Sequence, residues 1–225
     1  MYVGWNMKTN LVTVSSETSV FKARELMDTR KISHLPVTDG RAHLLGIVTD
    51  RDLREAWASP ATTLSVHELT YVLQKLTVAN IMTRKVITAT PDMTIERATR
   101  LIHDNKISAL PVLKDDKLIG IITVTDLLEV LVTALSFGKD TSRLSLLVRD
   151  RIGVLAEAAG LMQRLEISIR SVMIVPLPKH QDIWQLILRV PQEFASRATT
   201  ELKAAGFKVV TEYVEDITSY LPDPV

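Results

Sequence analysis

The chain repeats two phrases in the same order, and this duplication constrains its fold more than any other feature. The segment Lys31–Val37, KISHLPV, returns 75 positions later as Lys106–Val112, KISALPV. The segment Gly46–Leu53, GIVTDRDL, returns 74 positions later as Gly120–Leu127, GIITVTDL. Two ordered phrases with one residue of slippage indicate a duplicated structural unit. Such a unit normally stacks on its copy, and the stacking creates a symmetric cleft where a ligand can lie.

Each copy has the pattern β-α-β-β-α. Apolar residues recur at helical spacing after a short β-like run, and Ser19 and Thr94 lie at or near the helix starts as candidate N-caps. Asp39-Gly40 and Asp115-Asp116 are good turn sequences for the two hairpins. The predicted strands are 11–14, 35–37, 45–48, 86–89, 110–113 and 118–122, and the predicted helices follow residues 19, 50, 94 and 124.

The pattern changes near Gly138, and the last third has the order β-α-β-β-α-β of ferredoxin-like domains. Its predicted strands are 144–148, 167–175, 183–190 and 207–213, and its predicted helices are 153–165 and 192–205. We therefore predict an α+β protein. Its predicted divisions are a first repeat (1–58), a helical linker (59–80), a second repeat (81–138), a ferredoxin-like domain (139–218) and a frayed tail (219–225).

Composition excludes several classes of function. The net charge is +1, with 27 basic and 26 acidic residues spread along the chain, so we expect no nucleic-acid partner. The most apolar stretch, 118–137, contains Asp126 and Glu129, which argues against a membrane span. There is no cysteine, and the five histidines lack metal-ligand spacing, so we expect no metal site. We expect a cytoplasmic protein, because the first residues also lack the pattern of a signal peptide.

The second phrase places a threonine and an aspartate around the start of a predicted helix in each copy. These residues are Thr49 with Asp52, and Thr123 with Asp126. Free N–H groups and the positive end of the helix dipole favour a phosphate there. The carboxylate can accept hydrogen bonds from a ribose diol, and Arg51 adds donors in the first copy. Helix capping explains either pair alone, whereas two pairs at matching positions favour ligand binding.

The first phrase contains a proline that cannot donate a backbone hydrogen bond. We expect Pro36 and Pro111 to open edge strands, where exposed carbonyls can read an adenine amino group. A rigid entry into the strand is the alternative. His34, whose counterpart is Ala109, can contact a phosphate, and a surface or capping role is its alternative.

The two units resemble a pair of CBS domains, since Gly-x-x-Thr-x-x-Asp is similar to that family's nucleotide motif. The resemblance covers about 1–132 and implies that AMP, ADP, ATP or S-adenosylmethionine occupies the cleft between the repeats. It implies ribose and phosphate contacts by the two Thr-Asp pairs. Because Thr125 replaces Arg51 and Ala109 replaces His34, we expect the Asp52 site to be better equipped for phosphate. The resemblance implies an adenine slot lined by Val12, Thr13, Leu35, Pro36, Val86, Ile87, Leu110 and Pro111.

The last third resembles an ACT domain, a small-molecule sensor that typically pairs through its sheets and helices. The resemblance rests on the element order and on VRDRIGVL at 148–155, which is similar to the family's Asp-Arg-x-Gly-x-Leu turn. Gly153 would let a carboxylate approach backbone N–H groups, or would only make the tight turn into the helix. The resemblance implies a possible ligand turn formed by Asp150, Arg151, Gly153, Val154 and Leu155.

A CBS pair followed by an ACT-like domain resembles the acetoin-utilisation AcuB type of bacterial regulatory protein. Because no catalytic motif is visible, we expect a regulatory protein without a catalytic cofactor rather than an enzyme. We predict a homodimer that binds an adenine nucleotide between its repeats and transmits occupancy to the ACT-like domain or to a partner. The alternatives are a dimerising scaffold without ligand-dependent regulation and an amino-acid sensor that acts through the ACT-like domain.

Overall fold

The computed structural model describes residues 1–58, 71, 74–138, 140–178 and 180–222. The chain divides into two compact units, Met1–Leu128 and Glu129–Val225. Most of the predicted linker helix lies outside the described residues, although Tyr71, Gln74 and Lys75 are helical. Within the described ranges, every helix is too short or too polar to cross a bilayer.

The first unit contains the two repeats, and the α-β-β-α part of each repeat is confirmed. The helix α5 begins in this unit and continues into the second. In chain order the elements are α1 (Val20–Arg30), β1 (His34–Thr38), β2 (Leu44–Thr49), α2 (Asp50–Ala58), α3 (Val78–Ile81), α4 (Ile95–Asn105), β3 (Ala109–Lys114), β4 (Lys117–Thr123) and α5 (Val124–Ala134).

Matching signals begin and end the first long helix of each repeat. The Ser19 hydroxyl accepts a hydrogen bond from Lys22 N at 3.2 Å, and Thr94 Oγ1 accepts one from Arg97 N at 3.3 Å. Both predicted N-caps are therefore confirmed, and each satisfies a backbone N–H that has no partner inside the helix. The two helices also end alike, because Lys31 and Lys106 follow them in the left-handed conformation.

The predicted opening strands at 11–14 and 86–89 are wrong, because each segment makes only an isolated parallel bridge. Val14 pairs with Val37, and Ala89 pairs with Val112. The bonds run from Val14 N to the Pro36 carbonyl and from Thr38 N to the Val14 carbonyl. Extending the ladder towards the N-terminus would need an N–H from the proline, which has none. The proline therefore ends the pairing after one bridge.

The two prolines also do not open their strands. Pro36 is the third residue of β1, opposite Ile47, and Pro111 is the third residue of β3, opposite Ile121. Both are buried, and their carbonyls accept bonds from Val14 N and Ala89 N at 3.1 and 2.9 Å. The expected exposed carbonyls at Pro36 and Pro111 are therefore engaged within the fold. A proline is tolerated there because its missing N–H points away from the hairpin partner.

The first residues of each repeat form a segment that crosses to the other repeat. Lys8 forms an antiparallel bridge with Ile121 of the second repeat, and Thr83 forms the matching bridge with Ile47 of the first. Four backbone hydrogen bonds of 2.9–3.0 Å hold these two bridges. Beside them, Ile47, Ala109 and Ile121 form a small core against which Leu11 and Val86 pack. The two repeats therefore share apolar contacts, as a stacked duplication requires.

A glycine lies beside each of these bridges, Gly46 next to Thr83 and Gly120 next to Lys8. The two glycines differ in how closely the neighbouring backbone approaches them. A Cβ at Gly46 would lie 2.9 Å from the Thr83 carbonyl, whereas a Cβ at Gly120 would lie 3.2 Å from the Lys8 carbonyl and would overlap the flexible Met7 side chain. We expect Gly46→Ala to lower the free energy of unfolding by about 1–3 kcal/mol, because backbone must move. Gly120→Ala should cost less. Urea denaturation measures both, and an equal or larger loss at Gly120 would contradict this account.

The second unit has the predicted order β-α-β-β-α-β. Its elements are β5 (Thr141–Arg149), α6 (Val154–Arg164), β6 (Ser171–Leu177), β7 (His180–Pro191), α7 (Ala195–Ala204) and β8 (Lys208–Val210). The four strands form an antiparallel sheet with order β6-β7-β5-β8, and α6 and α7 cover one face. The side chains that are fully buried between sheet and helices include Leu146, Leu186, Leu188, Met162 and Leu202.

The strand boundaries of this unit differ from the prediction. β5 begins at Thr141 rather than at 144, and β6 begins at Ser171 rather than at 167. The stretch 176–182 between the predicted strands is mostly strand, since β6 runs to Leu177 and β7 begins at His180. Pro176 fits because β6 is an edge strand of the sheet, where one backbone side has no partner strand. The last strand stops at Val210 instead of Tyr213, which is 90% exposed and buries little apolar surface.

Candidate functional site

Thr49 and Asp52 form a reciprocal capping pair at the junction of β2 and α2. Thr49 donates from its backbone N and its Oγ1 to Asp52 Oδ2, both at 2.7 Å, and Asp52 N donates back to Thr49 Oγ1 at 3.3 Å. The capping alternative is therefore observed. It uses only one carboxylate oxygen, since none of the described residues donates a hydrogen bond to Asp52 Oδ1. That oxygen belongs to a half-buried side chain and can accept from a ligand hydroxyl.

Thr123 and Asp126 repeat this geometry at the junction of β4 and α5. Thr123 N and Oγ1 donate to Asp126 Oδ2 at 2.8 and 2.6 Å, and Asp126 N donates to Thr123 Oγ1 at 3.3 Å. The second oxygen differs, because Lys8 Nζ lies 2.8 Å from Asp126 Oδ1. Asp126 is 5% exposed, and both of its oxygens are engaged. The two copies are thus equal in capping and unequal in the group that faces the remaining oxygen.

The protonation of Asp126 follows from these contacts. Burial raises the pKa of its carboxyl, but the hydrogen bonds from Lys8 and Thr123 together lower it by more than burial raises it. The pKa therefore lies below the ordinary aspartate value. Asp126 is therefore an anion at neutral pH. It forms a buried carboxylate paired with a largely exposed ammonium, since the Lys8 side chain is 64% exposed.

His34 connects the two repeats directly. Its Nε2 lies 2.7 Å from Oγ of Ser108, in the second repeat. His34 is the first residue of β1 and Ser108 directly precedes β3, so the contact lies near the start of both strands. The sequence-based alternatives for His34, a phosphate contact or a capping role, did not include this bond. Ser108 was missed as a partner, because no local pattern pairs it with His34 across 74 positions.

Burial lowers the pKa of His34 by more than the negative charges of Asp126 and Asp52 raise it. The pKa therefore lies below the ordinary histidine value, and the imidazole is neutral at pH 7. We expect NMR titration to give His34 a pKa below about 6.5. Because the unfolded chain then binds more protons than the folded chain, the free energy of unfolding should fall as pH drops through about 6.5. His34→Gln assigns the resonance and should remove that part of the pH dependence. A His34 pKa above 6.5 would contradict the burial argument.

The Arg51 side chain pairs with Glu55 rather than with the Asp52 carboxylate. Its Nε donates to Glu55 Oε1 at 2.9 Å along the same face of α2, and its side chain is 86% exposed. Such an exposed pair contributes little to stability. Thr125, its counterpart in the second repeat, is also exposed.

The residues expected to line the adenine slot differ widely in burial and do not all lie on one exposed surface. Leu35 and Leu110 are fully buried in their own repeats, so their side chains are packing groups. Ala109 belongs to the small core shared by the repeats, where Val86 packs against it. Val12 packs against the core of the first repeat. Thr13 is exposed, and Ile87 is half-buried.

The possible ligand turn of the second unit is brought together. Gly153 precedes α6 at φ +92°, a conformation that favours glycine, and Asp150 N donates to the Asp182 carbonyl at 3.0 Å. Arg151 forms a two-pronged pair with Glu157 at 2.5 and 2.6 Å. An open groove of about 670 Å³ is lined by Asp150, Arg151, Gly153, Val154, Leu155 and Trp184, among others.

No cluster of three or more histidine, aspartate or glutamate side chains able to hold a metal ion occurs among the described residues. The polar groups at the two Thr-Asp pairs are the threonine hydroxyls, the aspartate carboxylates and the Lys8 ammonium. These groups are suited to a ligand with a diol and hydrogen-bonding edges.

Comparison of sequences places the relatives on the first unit. The chain is 33% identical over 130 residues to a CBS domain-containing protein of Dictyostelium discoideum. This match covers 57% of this chain and 90% of that protein. It is 38% identical over 117 residues to homoserine O-acetyltransferase of Methanosalsum zhilinae, covering 52% of this chain. The chain spans only 21% of that enzyme's length.

Solved structures match over a similar share of the chain. The putative acetoin utilisation protein AcuB of Vibrio cholerae matches with a TM-score of 0.52 and 26% identity, over 61% of this chain and 94% of that one. CBSX2 in complex with AMP matches with a TM-score of 0.50 and 31% identity, over 58% and 96%. The CBS domain pair of MJ0100, in complex with 5′-methylthioadenosine and S-adenosyl-L-methionine, matches with a TM-score of 0.50 and 28% identity, over 58% and 95%.

The family described as CBS domain matches residues 3–59 and 78–133, which together are half of the chain. The two matched stretches coincide with the two repeats and contain both Thr-Asp pairs. The chain therefore belongs to the CBS domain family and carries a tandem pair of these domains.

Proposed function

We propose that the CBS pair is a regulatory sensor that binds an adenine nucleotide between its repeats. The observation that carries the proposal is Asp52 Oδ1, which receives no hydrogen bond from the described residues, beside a Thr49 that already fixes the other carboxylate oxygen. A carboxylate held in one orientation is prepared to accept hydrogen bonds from a ribose diol. The solved CBS pairs with AMP and with S-adenosyl-L-methionine support an adenine-containing ligand.

The sensing step requires two arrangements that bind the ligand unequally. The repeats share the His34–Ser108 bond and the crossing segments at Lys8 and Thr83, so a ligand between them acts on both repeats at once. In this proposal, occupancy is passed to the second unit or to a partner protein, and the chain itself performs no catalysis. The enzymes among the relatives match through the CBS part, which supports this assignment.

Calorimetric titration of protein freed of carried-over ligand tests the proposal. We expect saturable binding of at least one of AMP, ADP, ATP and S-adenosylmethionine, and much weaker binding of GMP, which has the same ribose phosphate and a different base edge. Absence of heat and of any mass shift with all four adenine ligands would contradict the proposal.

A second candidate function concerns the second unit. The groove beside Gly153, Val154 and Leu155 favours an amino-acid ligand, as in an ACT domain, because the α6 N-terminus can receive a carboxylate. Titration with the common amino acids tests it, and Gly153→Val is the variant that should abolish any response.

We also propose a homodimer. Leu128, Leu131 and Val132 on α5 are 55%, 44% and 48% exposed, and such a cluster of large apolar side chains is typical of an interaction surface. Native mass spectrometry should give twice the monomer mass of 25.1 kDa. A monomeric mass with and without nucleotide would contradict the dimer.

A further inference from the structure

Lys8 brings a positive charge to one of the two Thr-Asp pairs and not to the other. Its Nζ lies 2.8 Å from Asp126 Oδ1, the oxygen whose counterpart in Asp52 receives no bond from the described residues. The residue at the matching place in the other crossing segment is Thr83, which carries no charge. Lys8 lies upstream of both repeated phrases, so comparison of the phrases alone does not detect this difference.

The backbone keeps Lys8 at the site whether or not its side chain is paired. Lys8 N donates to the Ile121 carbonyl at 2.9 Å, and Ile121 N donates to the Lys8 carbonyl at 3.0 Å. Only the side chain is free to turn, and it is 64% exposed. If Asp126 Oδ1 accepts a ligand hydroxyl, the ammonium loses its partner but remains within a side-chain length of the ligand.

The consequence depends on the charge of the ligand. A neutral nucleoside that takes Asp126 Oδ1 breaks the ion pair and offers the ammonium nothing in exchange. A nucleotide that takes the same oxygen brings phosphate oxygens with which the displaced ammonium can pair. The exchange of carboxylate for phosphate is therefore nearly balanced for a nucleotide and unbalanced for a nucleoside.

We propose that Lys8 is a specificity-determining residue that makes the Asp126 site select phosphorylated over unphosphorylated adenosine ligands. The inference rests on the proposed nucleotide-sensing function. It reverses the expectation that Arg51 makes the Asp52 site the better one for phosphate, because Arg51 donates to Glu55 at the exposed face of α2. Among the described residues, Lys8 is the cation that forms an ion pair with a Thr-Asp carboxylate.

The test isolates the Asp126 site in the full-length chain. Asp52→Asn weakens the first site, and in this background Lys8→Met removes the ammonium but keeps the length and the apolar stem of the side chain. Lys114→Met, at an exposed lysine of the same repeat, is the matched control for the loss of one positive charge. Calorimetry with adenosine and with AMP gives two dissociation constants for each protein.

We expect Lys8→Met to tighten adenosine about tenfold, equivalent to about 1.4 kcal/mol, and to leave AMP nearly unchanged, because the ammonium exchanges one anionic partner for another when AMP binds. The preference for AMP over adenosine would then fall about tenfold, whereas Lys114→Met would leave it unchanged. An unchanged preference in Lys8→Met overturns the inference. The inference is also overturned if Asp52→Asn protein binds neither adenosine nor AMP, with or without Lys8, while the wild type binds one AMP. In that case the Asp126 site is empty and the proposed function still stands. A wild type that binds no adenine ligand refutes the proposed function itself.

Discussion

The double variant Asp52→Asn/Asp126→Asn is expected to lose adenine nucleotide binding. Each substitution removes the charge from an oxygen that we assign to the ribose diol, while an amide of the same shape can still accept a bond from Thr49 or Thr123. A hydrogen bond to a charged group contributes about 1.5–3 kcal/mol. Each site should therefore weaken by about 10–100-fold.

Calorimetry against the best-binding nucleotide measures the loss. Glu129→Gln is the matched control, because it removes one exposed carboxylate from α5, the helix that also carries Asp126. The control should bind like the wild type. Wild-type affinity and stoichiometry in the double variant would contradict the assignment of the carboxylates to the ligand. Circular dichroism of the variant separates lost binding from lost folding.

Leu110→Ala should be the most destabilising of the single changes considered for the first unit. Leu110 is fully buried in the second repeat, in the strand β3 that also carries the buried Pro111. Truncating a buried leucine removes apolar contacts and leaves a cavity, which costs about 2–5 kcal/mol. We expect the urea midpoint to fall accordingly without a change in slope.

The same truncation at an exposed position is the control. Leu45 is 39% exposed in β2 and lies outside the apolar cluster of α5, so Leu45→Ala should cost far less than Leu110→Ala. A similar loss in both variants would contradict the difference in burial between the two positions. A small loss at Leu110 would contradict the packing of β3.

Much of each repeat could be predicted because its signals are local. The caps at Ser19 and Thr94, the hairpin residues Asp115 and Asp116 with positive φ, and the Thr-Asp pairs at helix starts all act within a few residues. Local hydrogen bonding and backbone preference determine such features, so a repeated phrase carries them intact.

The rest depended on contacts between segments distant in sequence. The β-like run before α1 predicted a strand, but the missing N–H of Pro36 limits its pairing to the bridge at Val14. Lys8 reaches Asp126 only because the start of the first repeat crosses to β4, and His34 contacts Ser108 across the two repeats. Neither contact has a signal in the local pattern of residues.

The most direct test of the nucleotide site is a crystal structure of the protein with AMP. We expect AMP between the repeats, with a ribose hydroxyl within hydrogen-bond distance of Asp52 Oδ1 or Asp126 Oδ1, and with the Thr49 and Thr123 bonds to the other oxygens retained. AMP bound away from both carboxylates, or with its ribose turned from them, would contradict it.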